Sequence, residues 1–409
     1  MSKDNRNLLV GLDIGTSKVV VLVAEVHENG DFDVIGIGNT SSKGIKKGVV
    51  VNIEDTVKSI QKALEEAEVM AQCRVDNVFA IISGNHVQSF NSTGMFAIRD
   101  KEVSAQDVER VIENAKPVNV PTDQKMLHML IQEYLIDSQE DVRDPIGMSG
   151  QKLEVRTHIV NGAESAVQNI IKCIRRCGLE VNELVVQPLS SSLAVLTEDE
   201  KELGVVMVDI GGGTTDIAVF SQGSIRYIEV IPLGGDQITN DIAMALRTPT
   251  VDAEDLKIQH GYAKQSLADP QGMLDVPGIG ERESKPISRQ SLAAVIEPRV
   301  EELFKFVVDA LEHSGYTHMI PSGVVLTGGA ASMPGIVELA EEIFNKPARI
   351  GIPDYNGHLK DVLRTPKYSA SIGLLREGRA QIMQGQEANR SKPLGGVLRR
   401  FRDWFTGNF

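Results

Sequence analysis

Several things are scarce in this sequence, and each scarcity removes a class of protein. Three cysteines in 409 residues cannot staple a chain of this size, so a disulfide framework is excluded and a reducing compartment expected. No stretch of 18 apolar residues occurs, so no helix long enough to cross a bilayer is expected. The opening MSKDNRN has no apolar signal core, and export is not expected. Positive charge is also short: 42 Lys/Arg against 56 Asp/Glu give a net charge of −14, the wrong sign for a basic nucleic-acid binder. The eight histidines show neither HExxH nor zinc-finger spacing, and Gly-x-Ser-x-Gly is absent. Cys173 and Cys177 stand four apart on a helical stretch, but nothing nearby completes a metal set, so their role reads as structural. His128 and His158 read as ordinary hydrogen-bonded residues.

What remains has a globular balance, with 42% hydrophobic and 24% charged residues, in a chain too long for one compact core. Charge is unevenly spread. From Arg364 onward there are nine Lys/Arg and three Asp/Glu, net +6, which leaves −20 on the preceding 363 residues. An acidic body with a basic tail points to a surface-seeking terminus.

The strongest internal feature is a weak duplication. Val10-Gly11-Leu12-Asp13-Ile14-Gly15-Thr16-Ser17-Lys18 recurs as Val206-Met207-Val208-Asp209-Ile210-Gly211-Gly212-Gly213-Thr214. Each copy reads as a β-hairpin: an apolar strand ending in Asp, a Gly turn, then a second β-branched strand. No helix follows either turn, so the P-loop and Rossmann readings fail on context. Glycine frees backbone N–H groups to approach phosphate oxygens, and carboxylates at strand ends can hold Mg²⁺ through its waters. The pattern therefore suits a nucleoside triphosphate. Gly15, Thr16, Ser17 and Lys18 would take one side of the phosphates, and Gly211, Gly212, Gly213 and Thr214 the other, with Asp13 and Asp209 near the metal. A third turn, Gly328-Gly329-Ala330 after strand 324–326, is small enough for a base or ribose to pack on backbone. One such turn alone is ordinary punctuation; three in this order are not.

Elsewhere, apolar spacing predicts a helix over 53–71 and a strand over 78–82. The stretch 84–162 has its own signals (strands 87–90, 95–98 and 153–160, a helix over 104–115) and reads as an insertion. Helix 164–177 and strand 184–186 then resume the first half. Residues 265–291 read as a long surface loop, 381–392 as a flexible linker and 198–202 as a solvated loop.

These three turns resemble the phosphate-1, phosphate-2 and adenosine motifs of the actin, Hsp70 and sugar-kinase ATPase superfamily. Within it, Lys43–Val50, Ile136–Gly150, Thr197–Glu200 and Val295–Arg299 are similar to the bacterial FtsA cell-division family. The resemblance implies an α/β actin-like fold of two related halves around a nucleotide cleft, binding ATP and Mg²⁺ with at most weak ATPase activity. It implies subdomain 1A over 1–83, 163–197 and 363–380; an inserted 1C over 84–162; 2A over 198–231 and 307–362; 2B over 232–306; a linker over 381–394; and an amphipathic membrane-targeting helix over 395–409. By the same resemblance Gly234, Gly235 and Lys257 contact the nucleoside, Gln187 orients a water, and Arg289 and Arg299 on 2B meet the C-terminal peptide of the division protein FtsZ. The implied role is a cytoplasmic-face, division-site adaptor that polymerises into actin-like filaments, ties FtsZ to the membrane and recruits other division proteins through 1C. As a plain residue, Lys257 would be a solvated lysine on an amphipathic helix.

The tail has chemistry of its own. At 100° per residue, Val397, Leu398, Phe401, Trp404 and Phe405 share one face, Arg399 and Arg402 lie opposite, and Arg400 is marginal. Twelve helical residues span about 18 Å, short of a bilayer core of about 30 Å, so such a helix would lie in the interface of an anionic membrane. Rival readings are a pilus-assembly PilM-like adaptor, which should lack the terminal helix, and a small-molecule kinase, for which no acceptor-site Asp stands out. An Hsp70-like chaperone would need a substrate domain after the ATPase.

Overall fold

A computed structural model of the chain describes residues 7–117, 121–280 and 282–390. Two five-stranded sheets carry the architecture, and they share one topology. In the first, Leu8–Ile14, Lys18–Val26 and Phe32–Ser41 form an antiparallel meander, and Asn77–Ile82 and Glu180–Val186 extend it in parallel on the other side of Leu8–Ile14. In the second, Val205–Ile210, Thr215–Ser221 and Ser224–Ile231 form the meander, and Val324–Thr327 and Ala348–Ile350 the parallel extension. The local repeat in sequence is thus a repeat of whole sheets. Val19 to Ala24 and Val205 to Ile210 are buried, as expected of strands covered on both faces.

Helix Ile53–Ala71 covers one face of the first sheet. Asn52 caps it, its side chain accepting from the Asp55 N–H at 3.2 Å, and Val57, Ile60, Leu64, Ala67 and Ala71 are buried at helical spacing. Close approach requires glycine opposite: a Cβ on Gly38 would lie 1.7 Å from the Ala63 carbonyl oxygen. Between the two sheets, helices Gln187–Val195 and Ser369–Arg390 cross, and there a Cβ on Gly373 would lie 1.6 Å from the Ser190 carbonyl oxygen. A core containing Leu9, Leu22, Phe79, Met207, Phe220, Val325 and Leu374 joins the two halves.

The expected insertion carries a separate four-stranded sheet, ordered Gln88–Ala97, Lys152–Ala163, Gln124–Ile136, Gln139–Val142. Helix Ala105–Ala115 packs on it behind a Ser104/Asp107 capping box. The two strands expected at 87–90 and 95–98 are one, because the ladder to Lys152–Ala163 runs unbroken from Gln88 to Ala97. Gly94 sits mid-strand for packing: a Cβ there would be 2.2 Å from the Val111 carbonyl oxygen. Strand Gln124–Ile136 was not expected from the sequence. Two further expectations change. The stretch 265–291 holds a hairpin, Met273–Val276 with Lys285–Ser288. Residues 381–390, read as linker, continue helix Ser369–Arg390; Gln, Met, Ala and Glu are good helix formers even without an apolar stripe.

Candidate functional site

The two hairpin turns face each other across the interface between the halves. A Cβ on Gly212 would lie 1.7 Å from Ser17 Oγ, and one on Gly213 would lie 2.6 Å from Thr16 Oγ1, so glycine is required for the turns to meet. Each turn is tied internally, Gly15 N–H donating to the Lys18 carbonyl at 3.0 Å and Gly211 N–H to the Thr214 carbonyl at 2.9 Å. The Gly48 N–H donates to Thr16 Oγ1 at 3.1 Å. Ser17 Oγ donates to Asp236 Oδ1 at 3.2 Å.

Beneath the turns lie Asp13 and Asp209, both buried. The helix crossing explains how they are held. Helix Ser369–Arg390 brings Ser371, whose Oγ donates to Asp13 Oδ2 at 3.0 Å. Helix Gln187–Val195 brings Gln187, whose amide donates to Asp209 Oδ2 at 3.2 Å, and Ser191, whose Oγ donates to the same oxygen. Among the described residues, Oδ1 of each aspartate has no hydrogen-bond donor. Burial pushes both carboxyls above their ordinary range, with Lys18 opposing. A third, Asp216, is pushed up to about 8 by burial and by Asp209; its oxygens accept from Ser83 Oγ at 2.6 Å and Thr214 Oγ1 at 3.0 Å. Burial depresses Lys18, with Asp13 and Asp209 opposing. Its Nζ donates to the Lys367 carbonyl and stands 4.7 Å from the Tyr368 ring centroid.

Buried acids outnumber cations here, and the donors are hard carboxylate oxygens, which suits a divalent cation such as Mg²⁺. Among the described residues no group of three or more His, Cys, Asp or Glu could hold a metal ion.

The residues expected to meet the nucleoside also converge. Gly235 N–H donates to the Gly211 carbonyl at 2.9 Å, and a Cβ on Gly234 would meet the Gly211 carbonyl oxygen at 2.6 Å. A Cβ on Gly235 would lie 3.4 Å from Lys257 Nζ and 3.6 Å from Ala330 Cβ. Lys257 is buried rather than solvated. Its ammonium donates to the Gly235 carbonyl at 3.1 Å, Thr239 Oγ1 at 2.8 Å and Glu254 Oε2 at 2.7 Å. Gly328, at φ +88°, packs its α-carbon over Asp209, where a Cβ would be 2.3 Å from Oδ1; around Gly329 nothing lies within 4 Å of such an atom.

Other sequence readings fall elsewhere. Arg299 pairs with Asp241 and Glu302, and Arg289 starts the same helix, Arg289–Ser314, its backbone N–H on the Gly272 carbonyl at 2.8 Å. Cys177 Sγ donates to the Cys173 carbonyl at 3.3 Å, consistent with a structural role. His128 Nε2 accepts the Val186 N–H at 3.2 Å, and His158 bonds Asn91 at 2.8 Å. The carboxylates at 198–202 are helical, in Glu198–Leu203, with a Thr197/Glu200 capping box. Val397, Leu398, Arg399, Arg400, Phe401, Arg402, Trp404 and Phe405 lie outside the described residues. Among the described residues no helix is long and apolar enough to cross a membrane. Sequence reasoning missed Ser191, Ser371, Asp216 and Asp236. Only Asp236, beside Gly234-Gly235, and Asp216, two residues after Thr214, lie near enough to a motif to have been found.

The family model "Cell division protein FtsA" matches residues 206–373, and the model of the SHS2 domain inserted in FtsA matches 84–161. The cell-division protein FtsA of Pseudomonas aeruginosa is 52% identical over 100% of both chains. That of Escherichia coli is 40% identical over 99% of both, and that of Bacillus subtilis 38% identical over 91% of this chain and 84% of its own. Among solved structures, a PilM–PilN type IV pilus biogenesis complex superposes with a TM-score of 0.65 at 17% identity, covering 91% of this chain and 98% of its own. MreB5 of Spiroplasma citri bound to AMPPNP gives 0.57 at 16%, covering 94% and 99%; these show the actin-like fold. With full-length relatives at this identity, and with the second half and the inserted domain matched by family models, the chain belongs to the FtsA family of bacterial cell-division proteins.

Proposed function

We propose that the cleft binds Mg-ATP and that the protein is an actin-like adaptor of cell division. The observation that carries the nucleotide reading is the meeting of Thr16–Ser17 with Gly212–Gly213 above two buried aspartates. The phosphates would lie between turns 15–18 and 211–214, with Lys18 supplying positive charge. The nucleoside would pack on Gly234, Gly235, Lys257, Gly328, Gly329 and Ala330. Asp13 and Asp209 would hold Mg²⁺ through water. Gln187, already hydrogen-bonded to Asp209, would orient a water for slow hydrolysis at most. The AMPPNP and ADP bound by MreB5 structures of the same fold support this reading.

Family membership supports the rest. Filaments of the chain would sit on the cytoplasmic face of the membrane at the division site, held by residues 397–405. Subdomain 2B, with Arg289 and Arg299, would take the C-terminal peptide of FtsZ, and subdomain 1C, over 84–162, would take further division proteins. The subdomain limits 1A, 2A and 2B follow the ranges given above.

The test is negative-stain microscopy of the protein with ATP and vesicles containing anionic lipid. Filaments on the vesicles are expected. Bare vesicles under conditions where ATP is bound would overturn the adaptor reading while leaving the cleft.

A further inference from the structure

The inserted domain touches more than the half that carries it. Its two chain connections run to the first half, at Ser83–Gly84 and Gly162–Ala163, and Val87, Leu130 and Val160 enter the core that joins the two halves. Yet it is docked on the second half, along Ser224–Ile231, the edge strand of the second sheet.

The docking is specific and partly buried. Ser89 Oγ donates to the Ile228 carbonyl at 2.8 Å and accepts the Ile228 N–H at 3.3 Å, closing both backbone groups of one edge residue. Gln132 Nε2 donates to the Ile225 carbonyl at 2.7 Å, and Ser224 Oγ donates to the Gln132 carbonyl at 2.7 Å. Asn91 Nδ2 donates to Tyr316 Oη at 3.0 Å. Arg226 stands 3.7 Å from Glu133, both largely out of solvent. An edge strand needs a cover, and here the cover belongs to the opposite half.

The root of the insertion is also wired to both phosphate turns. Ser83 Oγ donates to Asp216, which takes Thr214 on its other oxygen. A Cβ on Gly48 would lie 2.8 Å from the Gly84 Cα, and the Gly48 N–H holds Thr16.

We propose that the inserted domain is a strap: docked on Ser224–Ile231, it restrains the two halves from opening and so limits how fast nucleotide leaves the cleft. The second part rests on the nucleotide reading above. Val87, Leu130 and Val160 share a core with Ile225, Ile228 and Val230 of the edge strand, and each hydrogen bond added to that apolar contact raises the cost of opening.

The test uses the full chain with Ser89→Ala, Gln132→Ala and the double variant, and Ser89→Thr as the conservative control. Hydrogen exchange without nucleotide reads the strap directly. Exchange of amides in Ser224–Ile231 and in turns 15–18 and 211–214 should rise roughly tenfold in each single variant and on the order of a hundredfold in the double, with Ser89→Thr near wild type. Dissociation of a fluorescent ATP analogue, followed by stopped flow, should accelerate by similar factors. Faster exchange at the edge strand with unchanged turns and unchanged release would overturn the strap. No analogue binding to the wild type would overturn the nucleotide reading, and the exchange arm would still decide whether the halves are restrained. If the double variant unfolds, the single variants, each losing one or two bonds, decide between the same outcomes.

Discussion

Asp216 offers a quantitative test of how dry the cleft floor is. The carboxyl is fully buried, and burial, then Asp209, raise it to about 8 from 3.8, against hydrogen bonds from Ser83 and Thr214. In the unfolded chain the group loses its proton near pH 3.8; folded, it keeps it until about pH 8. Between these limits the folded state holds one more proton than the unfolded, so stability falls as pH rises, by about 1.4 kcal/mol per unit. Asp216→Asn keeps the shape and the hydrogen-bonding capacity but does not titrate. The variant should therefore gain on wild type steadily, by about 3 kcal/mol between pH 5 and pH 7. Urea unfolding of both proteins at pH 5, 6, 7 and 8, in chelator and without nucleotide, measures the difference directly. A difference that does not change with pH would refute the argument, since it would mean that Asp216 is ionised in the folded protein throughout. Asp216→Ala separates charge from bonding, because it loses both hydrogen bonds at every pH.

Further outcomes follow from other contacts. Gly373→Ala puts a methyl 1.6 Å from the Ser190 carbonyl oxygen at the helix crossing, and urea unfolding should show a loss of roughly 1–3 kcal/mol. His128, held near 4 by burial, has the opposite sign from Asp216: it binds its proton more readily unfolded, so stability should fall as pH drops from 6.5 toward 4. His128→Gln should flatten that limb in an acid titration of melting temperature. Trp404 is the only tryptophan, so its emission reports the tail alone. A blue shift with anionic vesicles, weakened by salt and absent with neutral lipid, is expected.

What was legible in the sequence was local. The Asp-Gly hairpins and the third turn are short, contiguous and built on glycine, whose use at close approach leaves a direct mark. The limits of helix Ile53–Ala71 follow from apolar spacing and an Asn cap. Strand Gln124–Ile136 was illegible because Gln132 and Glu133, polar neighbours that break any alternation, are both buried by partners distant in sequence, Gln132 on the Ile225 carbonyl and Glu133 on Arg156 with Arg226 nearby. The helical sequence around Lys257 similarly looks solvated until Gly235, Thr239 and Glu254 close around the ammonium. Ser191 and Ser371 carry no motif at all; only the crossing of two helices far apart in the chain delivers them to Asp209 and Asp13. Long-range convergence of this kind is what a pattern of neighbours cannot encode.

Isothermal titration calorimetry of the full chain with ATP in magnesium reads out whether the paired turns over Asp13 and Asp209 form a Mg-ATP site. One saturable site per chain is predicted, with affinity strongly reduced by removing magnesium and by Asp209→Ala. Absence of binding heat in the folded wild-type protein at several temperatures, or an unchanged isotherm in Asp209→Ala, would contradict it.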